Sequence, residues 1–476
     1  MALEKKFIVA VELGSSKITG IAGRKNLDGS ISVLAVVQEN SSSCIRRGVV
    51  YNIDKTTQAL VSIKKRLETL LQTKIVQVYV GVGGQSIYGV RNVIVRDLQT
   101  ETIVDHALVN ELMDANRAMN YPDQEILDAI VQEYKVDSQL QTDPVGIQCT
   151  RLEANFLNIL WRKTFYRNLN NCFEKAGINI AEMYLAPLAL ADSVLTEAER
   201  RAGCMLVDLG AETTTMSVYY KNVLRQLVVI PLGGANITRD IASEQMEESE
   251  AENLKLKYGC AYTDNAEIDS SQMLPINSER GIENQKFIEI VEARLTEIIY
   301  NVWQQMPEEY IDKLFGGIVI TGGGANMRDI DKAFRVSTRV DKIRLAKTVT
   351  QTIDATQLEI TSRDCRMCTA LGLLAKGDMN CAGAEITGNL FDSADENESD
   401  GQQQGNSPTG RVMTEANKRE AEEKERRRRE QEELLRQQAE EAQKEEERQK
   451  EKENNFWNKL WHKVKEFAKS TITEDE

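Results

Sequence analysis

The chain has 476 residues, of which 41% are hydrophobic, and this is more than one ordinary core requires, so at least two packed domains are expected. Its formal net charge of −15 argues against nucleic acid as the main partner, because binding phosphate needs a concentrated basic face. The segment at 1–6 is short and contains three charged residues, no secretory apolar region follows it, and no apolar run reaches the roughly 20 residues that span a bilayer. We therefore expect the protein to remain inside the cell.

The first part of the chain contains a strand and turn pattern that is typical of an α/β fold. Three strands are expected, at 7–11, 18–22 and 31–37. A Gly-Ser turn separates the first two strands, and an Asn-Leu-Asp-Gly turn precedes the third. A helix should follow with Asp54 as its N-cap and with an apolar face formed by Ala59, Ile63, Leu67 and Leu70.

The same plan returns in the second part of the chain, which predicts a fold made of two similar halves. Its strands are expected at 205–207, 214–220 and 223–230. A helix is expected from Asn236 toward Ile241. Further along, a strand at 318–321 runs into three glycines, after which Asn326 or Asp329 opens another helix.

Cysteine and histidine usage argues against disulfides and against most nucleophilic catalysis. The eight cysteines are scattered rather than spaced as a disulfide framework, so they are predicted to be reduced thiols. Cys365 and Cys368 form one C-x-x-C, but no second pair follows, which favours buried thiols over a zinc site. His106 and His462 are the only histidines, which disfavours Ser-His and Cys-His schemes. No catalytic residue is assigned.

Two equivalent turns are candidates for holding phosphate, because successive backbone N–H groups in a tight turn point toward one place. The candidate residues are Gly14, Ser15, Ser16 and Lys17 in the first turn and Asp208, Gly210, Thr213 and Thr214 in the second. Each turn opens with a carboxylate, and we predict that Glu12 and Asp208 hold Mg²⁺ through water. Either turn alone indicates only a hairpin, whereas the two at equivalent places favour a nucleotide site.

A third glycine turn supports a nucleotide site. Gly322, Gly323 and Gly324 let the backbone approach a flat ligand, and the helix that follows adds partial positive charge at its N-terminus. The alternative is a helix-entry loop without a ligand.

The composition changes near Gly388, where apolar periodicity stops. Residues 389–411 are rich in Asp, Gly, Gln and Ser and are typical of a flexible linker, and residues 414–453 are almost entirely charged or polar. This second stretch is expected to form a solvated single helix or a partner-binding arm. The linker is therefore predicted to span 389–453 as a flexible and then a highly charged part.

The last segment, 454–470, has the pattern of an amphipathic helix that lies on a membrane. Its apolar arc contains Phe456, Trp457, Leu460, Trp461, Val464, Phe467 and Ala468. Lys463 and Lys465 border this arc, so their ammonium groups can reach lipid headgroups while both Trp rings sit at the interface. The alternative is a helix that docks on its own domain. Because each Lys adds only about 1 kcal/mol near an anionic surface, binding should be reversible.

These motifs resemble the FtsA family of bacterial cell-division proteins within the actin superfamily. The two phosphate motifs match ELGSSK and DLGAETTT, the adenosine motif matches ITGGGANM, and the second connecting helix matches TALGL at 369–373. The stretches QEYKVD at 132–137 and DPVG at 143–146 are similar to the SHS2 insert, also called subdomain 1C. The resemblance implies further nucleotide contacts at Gly233, Gly234, Glu252, Lys255 and Met327.

The resemblance implies an actin-like duplicated fold with ribonuclease H-like halves and an SHS2 insert. Its expected order is subdomain 1A at 1–82, 166–200 and 355–388, the insert at 83–165, subdomain 2A at 201–236 and 308–354, and subdomain 2B at 237–307. The linker at 389–453 and the membrane helix at 454–470 complete it.

The resemblance also implies a function. The protein is expected to bind ATP and Mg²⁺, to polymerise through the insert and to tether FtsZ filaments to anionic lipids on the inner face of the plasma membrane at the septum. It would also help to recruit later division proteins. FtsZ would dock on subdomain 2B, with Arg294 as the candidate contact. The alternatives are an ATP-dependent kinase, a chaperone-type ATPase or a pilus-assembly platform protein.

Two positions depart from the family pattern. Glu12 stands where actin and many relatives have Asp, so hydrolysis is expected to be slow or partner-dependent. Glu212 follows Ala211 where relatives often have Gly-Gly or Gly-Thr, and its carboxylate is expected to repel phosphate unless it points outward.

Overall fold

The first half of the chain forms a mixed sheet covered by a long helix. A computed structural model describes residues 6–264, 269, 271–382 and 411–412 of the protein. The first elements are β1 (Ile8–Leu13), β2 (Lys17–Lys25), β3 (Ile31–Asn40), β4 (Ile45–Arg46), β5 (Val49–Val50), α1 (Ile53–Leu71) and β6 (Gln77–Val82). Strands β1, β2 and β3 pair antiparallel, and β6 runs parallel to β1. The three strands predicted here are confirmed, with ends that differ by a few residues.

Helix α1 differs from the prediction at its start and on its buried face. Its N-cap is Asn52, whose side chain accepts a hydrogen bond from the Lys55 N–H at 3.0 Å, while Asp54 lies in the first turn. The buried residues are Thr56, Leu60, Ile63, Leu67 and Leu71. Leu70 was assigned to this face and is 61% exposed. Apolar spacing alone does not separate neighbouring leucines, because both lie near the same helical stripe.

An insert with its own core follows β6. It consists of β7 (Tyr88–Ile103), α2 (His106–Arg117), β8 (Gln124–Val136), β9 (Gln139–Gln141) and β10 (Gln148–Arg162). The strands lie in the order β7, β10, β8, β9, and α2 packs against β7 and β8. Leu112 on α2 is buried among Tyr134, Leu152 and Phe156 from the sheet. This separate small core makes the insert a structural unit of its own.

The chain then returns to the first sheet and enters the second half. The elements are α3 (Lys163–Lys175), β11 (Asn179–Leu185), α4 (Ala186–Val194), α5 (Glu197–Ala202), β12 (Cys204–Leu209), β13 (Thr214–Tyr220), β14 (Val223–Ile230), α6 (Gly234–Ala242), α7 (Glu248–Tyr258), β15 (Met273–Pro275), β16 (Gly281–Glu283), α8 (Asn284–Gln304), α9 (Glu308–Ile311), β17 (Gly317–Thr321), α10 (Ile330–Thr338) and β18 (Ile343–Leu345). The strands and the helix predicted in this half are confirmed. Of the two candidates for opening the later helix, Asp329 is the N-cap of α10, whereas Asn326 ends a short 3-10 helix.

The last elements return to the first half. They are β19 (Ile353–Asp354), α11 (Leu358–Thr361), α12 (Cys368–Lys376) and β20 (Arg411–Val412). Helix α12 packs against α4 and β1. A Cβ on Gly372 would lie 2.6 Å from the carbonyl oxygen of Ala189, so this helix contact requires glycine. Strand β20 pairs antiparallel with β11 at the edge of the first sheet.

The two halves share one strand plan, which confirms the duplicated α/β fold. The first sheet has the order β19, β3, β2, β1, β6, β11, β20, and the second has the order β18, β17, β12, β13, β14, β7, β10, β8, β9. In each half an antiparallel three-stranded meander is followed by a strand parallel to its first member, β6 beside β1 and β17 beside β12. A single backbone pair, Val228 with Tyr88, joins the insert's sheet to the second half.

Two further sequence expectations concern thiols and membrane spans. Cys365 and Cys368 are free and buried, as predicted, and burial raises their thiol pKa values to about 11 and about 12. Within the described part of the chain, no group of three potential metal ligands occurs. Among the same residues, no helix combines the length and apolar character that crossing a bilayer requires.

Candidate functional site

Two hairpins with the same geometry form the centre of the site. Hairpin I is the turn at residues 12–17 between β1 and β2, and hairpin II is the turn at residues 208–214 between β12 and β13. The Gly14 N–H donates to the Lys17 carbonyl at 3.0 Å, and the Gly210 N–H donates to the Thr213 carbonyl at 2.9 Å. A Cβ would lie 2.8 Å from the acceptor oxygen at Gly14 and 2.7 Å at Gly210. Both turns therefore close tightly only around glycine.

The carboxyl groups that open the two hairpins occupy matching positions and lie close enough for the charge of Asp208 to act on Glu12. Glu12 pairs with Thr19 in hairpin I, and Asp208 pairs with Thr215 in hairpin II, which is the same strand register. Burial, together with the charge of Asp208, raises the pKa of Glu12 to about 8. Burial raises the pKa of Asp208 to about 6. The fold thus brings together two carboxyl groups that are far apart in sequence, and their oxygens are donors that suit Mg²⁺ or its bound water.

Three glycines pack around hairpin II. The Gly234 N–H donates to the Gly210 carbonyl at 3.0 Å. A Cβ on Gly233 would lie 2.6 Å from that same oxygen. Gly322 has a φ of +85°, and a Cβ there would lie 2.3 Å from Asp208 Oδ1. These glycines allow main chain to close around Asp208 and the rest of hairpin II.

The residues expected around the adenosine lie next to this glycine layer. The Lys255 ammonium donates to the Gly234 carbonyl at 3.0 Å and forms an ion pair with Glu252 at 2.6 Å. Gly323 is exposed, and Met327 is half-buried at the end of the 3-10 helix Gly323–Asn326. The structure therefore brings the third glycine turn, α7 and hairpin II to one place.

Other candidate residues have contacts that their sequence positions did not reveal. Lys17 is exposed, and its ammonium donates to Gln38 Oε1 at 3.0 Å. Ser15 Oγ accepts a hydrogen bond from the Gly48 N–H at 2.8 Å, while Ser16 is exposed. Thr214 is fully buried, and its hydroxyl donates to the Leu232 carbonyl at 2.9 Å. Thr213 is half-buried and supplies the carbonyl that closes hairpin II.

The turn at Arg47 and Gly48, which lies against both hairpins, was not predicted from the sequence. The Arg47 N–H donates to Glu212 Oε2 at 2.6 Å, so the carboxylate expected to repel phosphate is bonded to backbone of the first half. Gly48 reaches Ser15 through the hydrogen bond described above. Gly48 was the available signal, since glycine supplies the positive φ that tight hairpin turns require.

Arg294 lies on α8. It is distant from both hairpins in the sequence, and its ion-pair partners belong to α6 and α8. Its guanidinium forms ion pairs with Asp240 of α6 and with Glu297 of its own helix, and one of the bonds to Asp240 measures 3.1 Å. The side chain is 26% exposed. Its charge is thus balanced within the second half, and its role as a partner contact stays a prediction.

Comparison with known proteins identifies the family. The family model described as "Cell division protein FtsA" matches residues 205–372, and the one described as "SHS2 domain inserted in FTSA" matches residues 84–160. The "Cell division protein FtsA" of Porphyromonas gingivalis is 31% identical over 332 residues, which cover 68% of this chain and 69% of that protein. The chain belongs to the FtsA family.

A second FtsA and one solved structure are also similar. The "Cell division protein FtsA" of Neisseria meningitidis is 31% identical over 338 residues, which cover 69% of this chain and 81% of that protein. A chain of the "PilM-PilN type IV pilus biogenesis complex" superposes with a TM-score of 0.53 at 15% identity, over 78% of this chain and 98% of that one, and this shows a shared fold. The predicted FtsA resemblance, actin-like fold and SHS2 insert are therefore confirmed.

The linker and tail of this FtsA-family chain lie outside the described residues. This applies to the predicted linker at 389–453, apart from β20, and to the predicted membrane helix at 454–470. The membrane contacts predicted at Phe456, Trp457, Leu460, Trp461, Lys463, Val464, Lys465 and Phe467 therefore stay predictions.

Proposed function

We propose that this cell-division protein binds ATP with Mg²⁺ between hairpins I and II. We further propose that it polymerises through its insert and tethers FtsZ filaments to the inner face of the plasma membrane. The observation that carries the nucleotide part is the matching geometry of the two hairpins, whose opening carboxyl groups, Glu12 and Asp208, interact electrostatically. FtsA-family membership supports the cell-division part.

The residues of the site suit a metal-bound polyphosphate. Turn amides of hairpins I and II would receive phosphate oxygens, and Glu12 and Asp208 would hold Mg²⁺ through water. Bound Mg²⁺ would supply positive charge against the phosphates. The proximity of Glu252 and Lys255 to Gly234 supports an adenosine position between α7 and the third glycine turn. Hydrolysis is proposed to be slow or partner-dependent.

The membrane part of the proposal depends on the sequence of residues 454–470. Two Trp and two Phe residues share one helical face with bordering lysines, a combination that favours insertion at a lipid interface. One such helix binds weakly, whereas several helices linked in a polymer dissociate together much more slowly. Polymerisation and membrane attachment are therefore proposed to support each other.

Vesicle co-sedimentation of the full chain tests the tether. Wild type should pellet with anionic vesicles, and Trp457→Glu combined with Trp461→Glu should remain in the supernatant, because two carboxylates would enter the apolar face. The matched control, Asn455→Glu with Asn458→Glu, adds the same charges to polar positions and should reduce pelleting far less. Pelleting of the Trp double variant at the wild-type level would remove the proposed mechanism of attachment.

Recruitment of FtsZ to those vesicles tests the partner. Arg294→Ala should lower FtsZ co-pelleting, with Lys286→Ala as the control, because Lys286 on the same helix is also paired, with Glu244. Equal FtsZ recruitment by both variants would exclude Arg294 as the contact. Fast ATP turnover by a chain truncated before Asn454, or phosphotransfer to a substrate, would instead favour the kinase or chaperone alternative.

A further inference from the structure

The turn at Arg47 and Gly48 is a strained connection at the candidate site. Strands β4 and β5 pair Arg46 with Val49, so Arg47 and Gly48, which lie between them, form a two-residue hairpin loop. Their φ values are 48° and 74°, as the type I′ geometry requires. Glycine adopts this conformation freely, but an arginine there costs about 1 kcal/mol. A strained non-glycine residue at a candidate site points to a role beyond closing the turn.

Backbone groups of this turn connect three parts of the protein. The Arg47 N–H donates to Glu212 of hairpin II at 2.6 Å, and the Gly48 N–H donates to Ser15 of hairpin I at 2.8 Å. The Arg47 carbonyl accepts from the Gln85 N–H at 2.8 Å, three residues beyond the end of β6, where the chain enters the insert. The contact is close, because a Cβ on Gly84 would lie 2.5 Å from the Gly48 carbonyl. Any shift of this turn therefore reaches both hairpins and the root of the insert.

The charged groups at this turn are placed so that a bound anion could replace the Glu212 carboxylate. Glu212 is half-buried, and its carboxylate accepts a backbone N–H beside the two turns that present amides. The Arg47 side chain is exposed, and its guanidinium makes no ion pair with any residue in the described ranges. A carboxylate and a terminal phosphate are both oxygen anions, so they compete for the same donors.

We propose that Glu212 is a built-in competitor of the terminal phosphate, and that Arg47 becomes a ligand of that phosphate when Glu212 is displaced. This inference rests on the nucleotide function proposed above. A diphosphate leaves Glu212 bonded to the Arg47 N–H. A triphosphate repels the Glu212 carboxylate, which frees the N–H and lets the guanidinium pair with the added charge. The movement is transmitted to Gln85 through the Arg47 carbonyl, so the root of the insert responds to the third phosphate.

Dissociation constants for Mg-ATP and Mg-ADP, measured by calorimetry on the full chain, test this competition. Glu212→Gln keeps the hydrogen-bond acceptor and removes the charge, so its preference for ATP over ADP should rise about tenfold, as expected for one unit charge about 6 Å away at an intermediate effective dielectric. Arg47→Ala should weaken ATP binding severalfold and leave ADP binding nearly unchanged. Glu197→Gln, a charge-matched change at an exposed residue of α5, should alter neither constant.

Hydrogen exchange provides a second readout that a purely structural role would not change. In the wild type, ATP but not ADP should speed exchange in the peptide that contains Gln85, and Glu212→Gln should remove part of this difference. Thermal unfolding of each variant checks that it is folded.

The outcomes separate this inference from the function on which it rests. If Glu212→Gln changes the affinities for ATP and ADP equally, or changes neither, the proposed competition between Glu212 and the terminal phosphate is overturned, while nucleotide binding itself is left intact. Identical rates of hydrogen exchange in the peptide that contains Gln85, with ATP and with ADP, would overturn the proposed transmission to the insert. Binding of neither nucleotide by any variant would overturn the proposed function together with this inference. ATP binding by Glu212→Gln but not by the wild type would support both.

Discussion

Replacing Glu12 with Gln should stabilise the nucleotide-free protein above pH 4.5. In the unfolded chain this carboxyl ionises near pH 4.5, whereas burial and the charge of Asp208 raise its pKa in the folded protein to about 8. Folding therefore takes up a proton between these pH values, so the free energy of unfolding of the wild type falls as the pH rises through this window. Below pH 4.5 the group has no effect, and above pH 8 the whole penalty is present. At about 1.4 kcal/mol per pKa unit, the penalty has an upper bound of about 5 kcal/mol.

Denaturant unfolding at a series of pH values, without Mg²⁺ or nucleotide, measures this effect. The advantage of Glu12→Gln over wild type should grow with pH and level off near pH 8. Asp208 also destabilises the folded state as the pH rises, but its pKa is about 6, so the window from pH 6 to 8 isolates Glu12.

Glu39 on β3 is the matched control, because hydrogen bonds from Ser62 and Arg66 lower its pKa. Its stabilisation is present above the unfolded pKa and is lost as the pH falls, so Glu39→Gln should destabilise the protein at neutral pH. Parallel stability curves for wild type and Glu12→Gln between pH 6 and 8 would refute the reasoning about Glu12.

Further predictions concern proton release, a glycine and the register of α1. Binding of Mg-nucleotide at pH 7 should release about one proton from wild type and fewer from Glu12→Gln, because the cation lowers the pKa of Glu12; calorimetry in two buffers of different ionisation enthalpy measures this. Gly322→Ala should cost about 2 kcal/mol or more in denaturant unfolding, because the new Cβ would lie 2.3 Å from Asp208 Oδ1 at a φ of +85°. Leu67→Ala should cost about 3 kcal/mol, and Leu70→Ala less than about 0.5 kcal/mol, since Leu67 is buried and Leu70 is 61% exposed; thermal unfolding separates the two.

Local sequence patterns predicted those features that depend on neighbouring residues. The alternation of apolar strands and Gly-rich turns was enough to predict both hairpins, because each is closed by a hydrogen bond between residues three apart, such as Gly14 and Lys17. The repeat of this pattern predicted the duplication, whereas the glycine turn at 322–324 predicted only that the backbone could approach a flat ligand. The register of α1 was not predictable in the same way, because the choice between Leu70 and Leu71 depends on the sheet below the helix.

The sequence by itself therefore determined the two-half α/β plan, the two glycine-closed hairpin turns and the family, since each is written in short motifs. Only the tertiary structure decided that Asp208 acts electrostatically on Glu12 and that Glu212 bonds to Arg47, 165 positions away. The physical reason is that these contacts depend on how the two halves pack. Burial then raises the pKa values of Glu12 and Asp208, and the charge of Asp208 raises that of Glu12 further. Neither effect exists until distant segments are brought together.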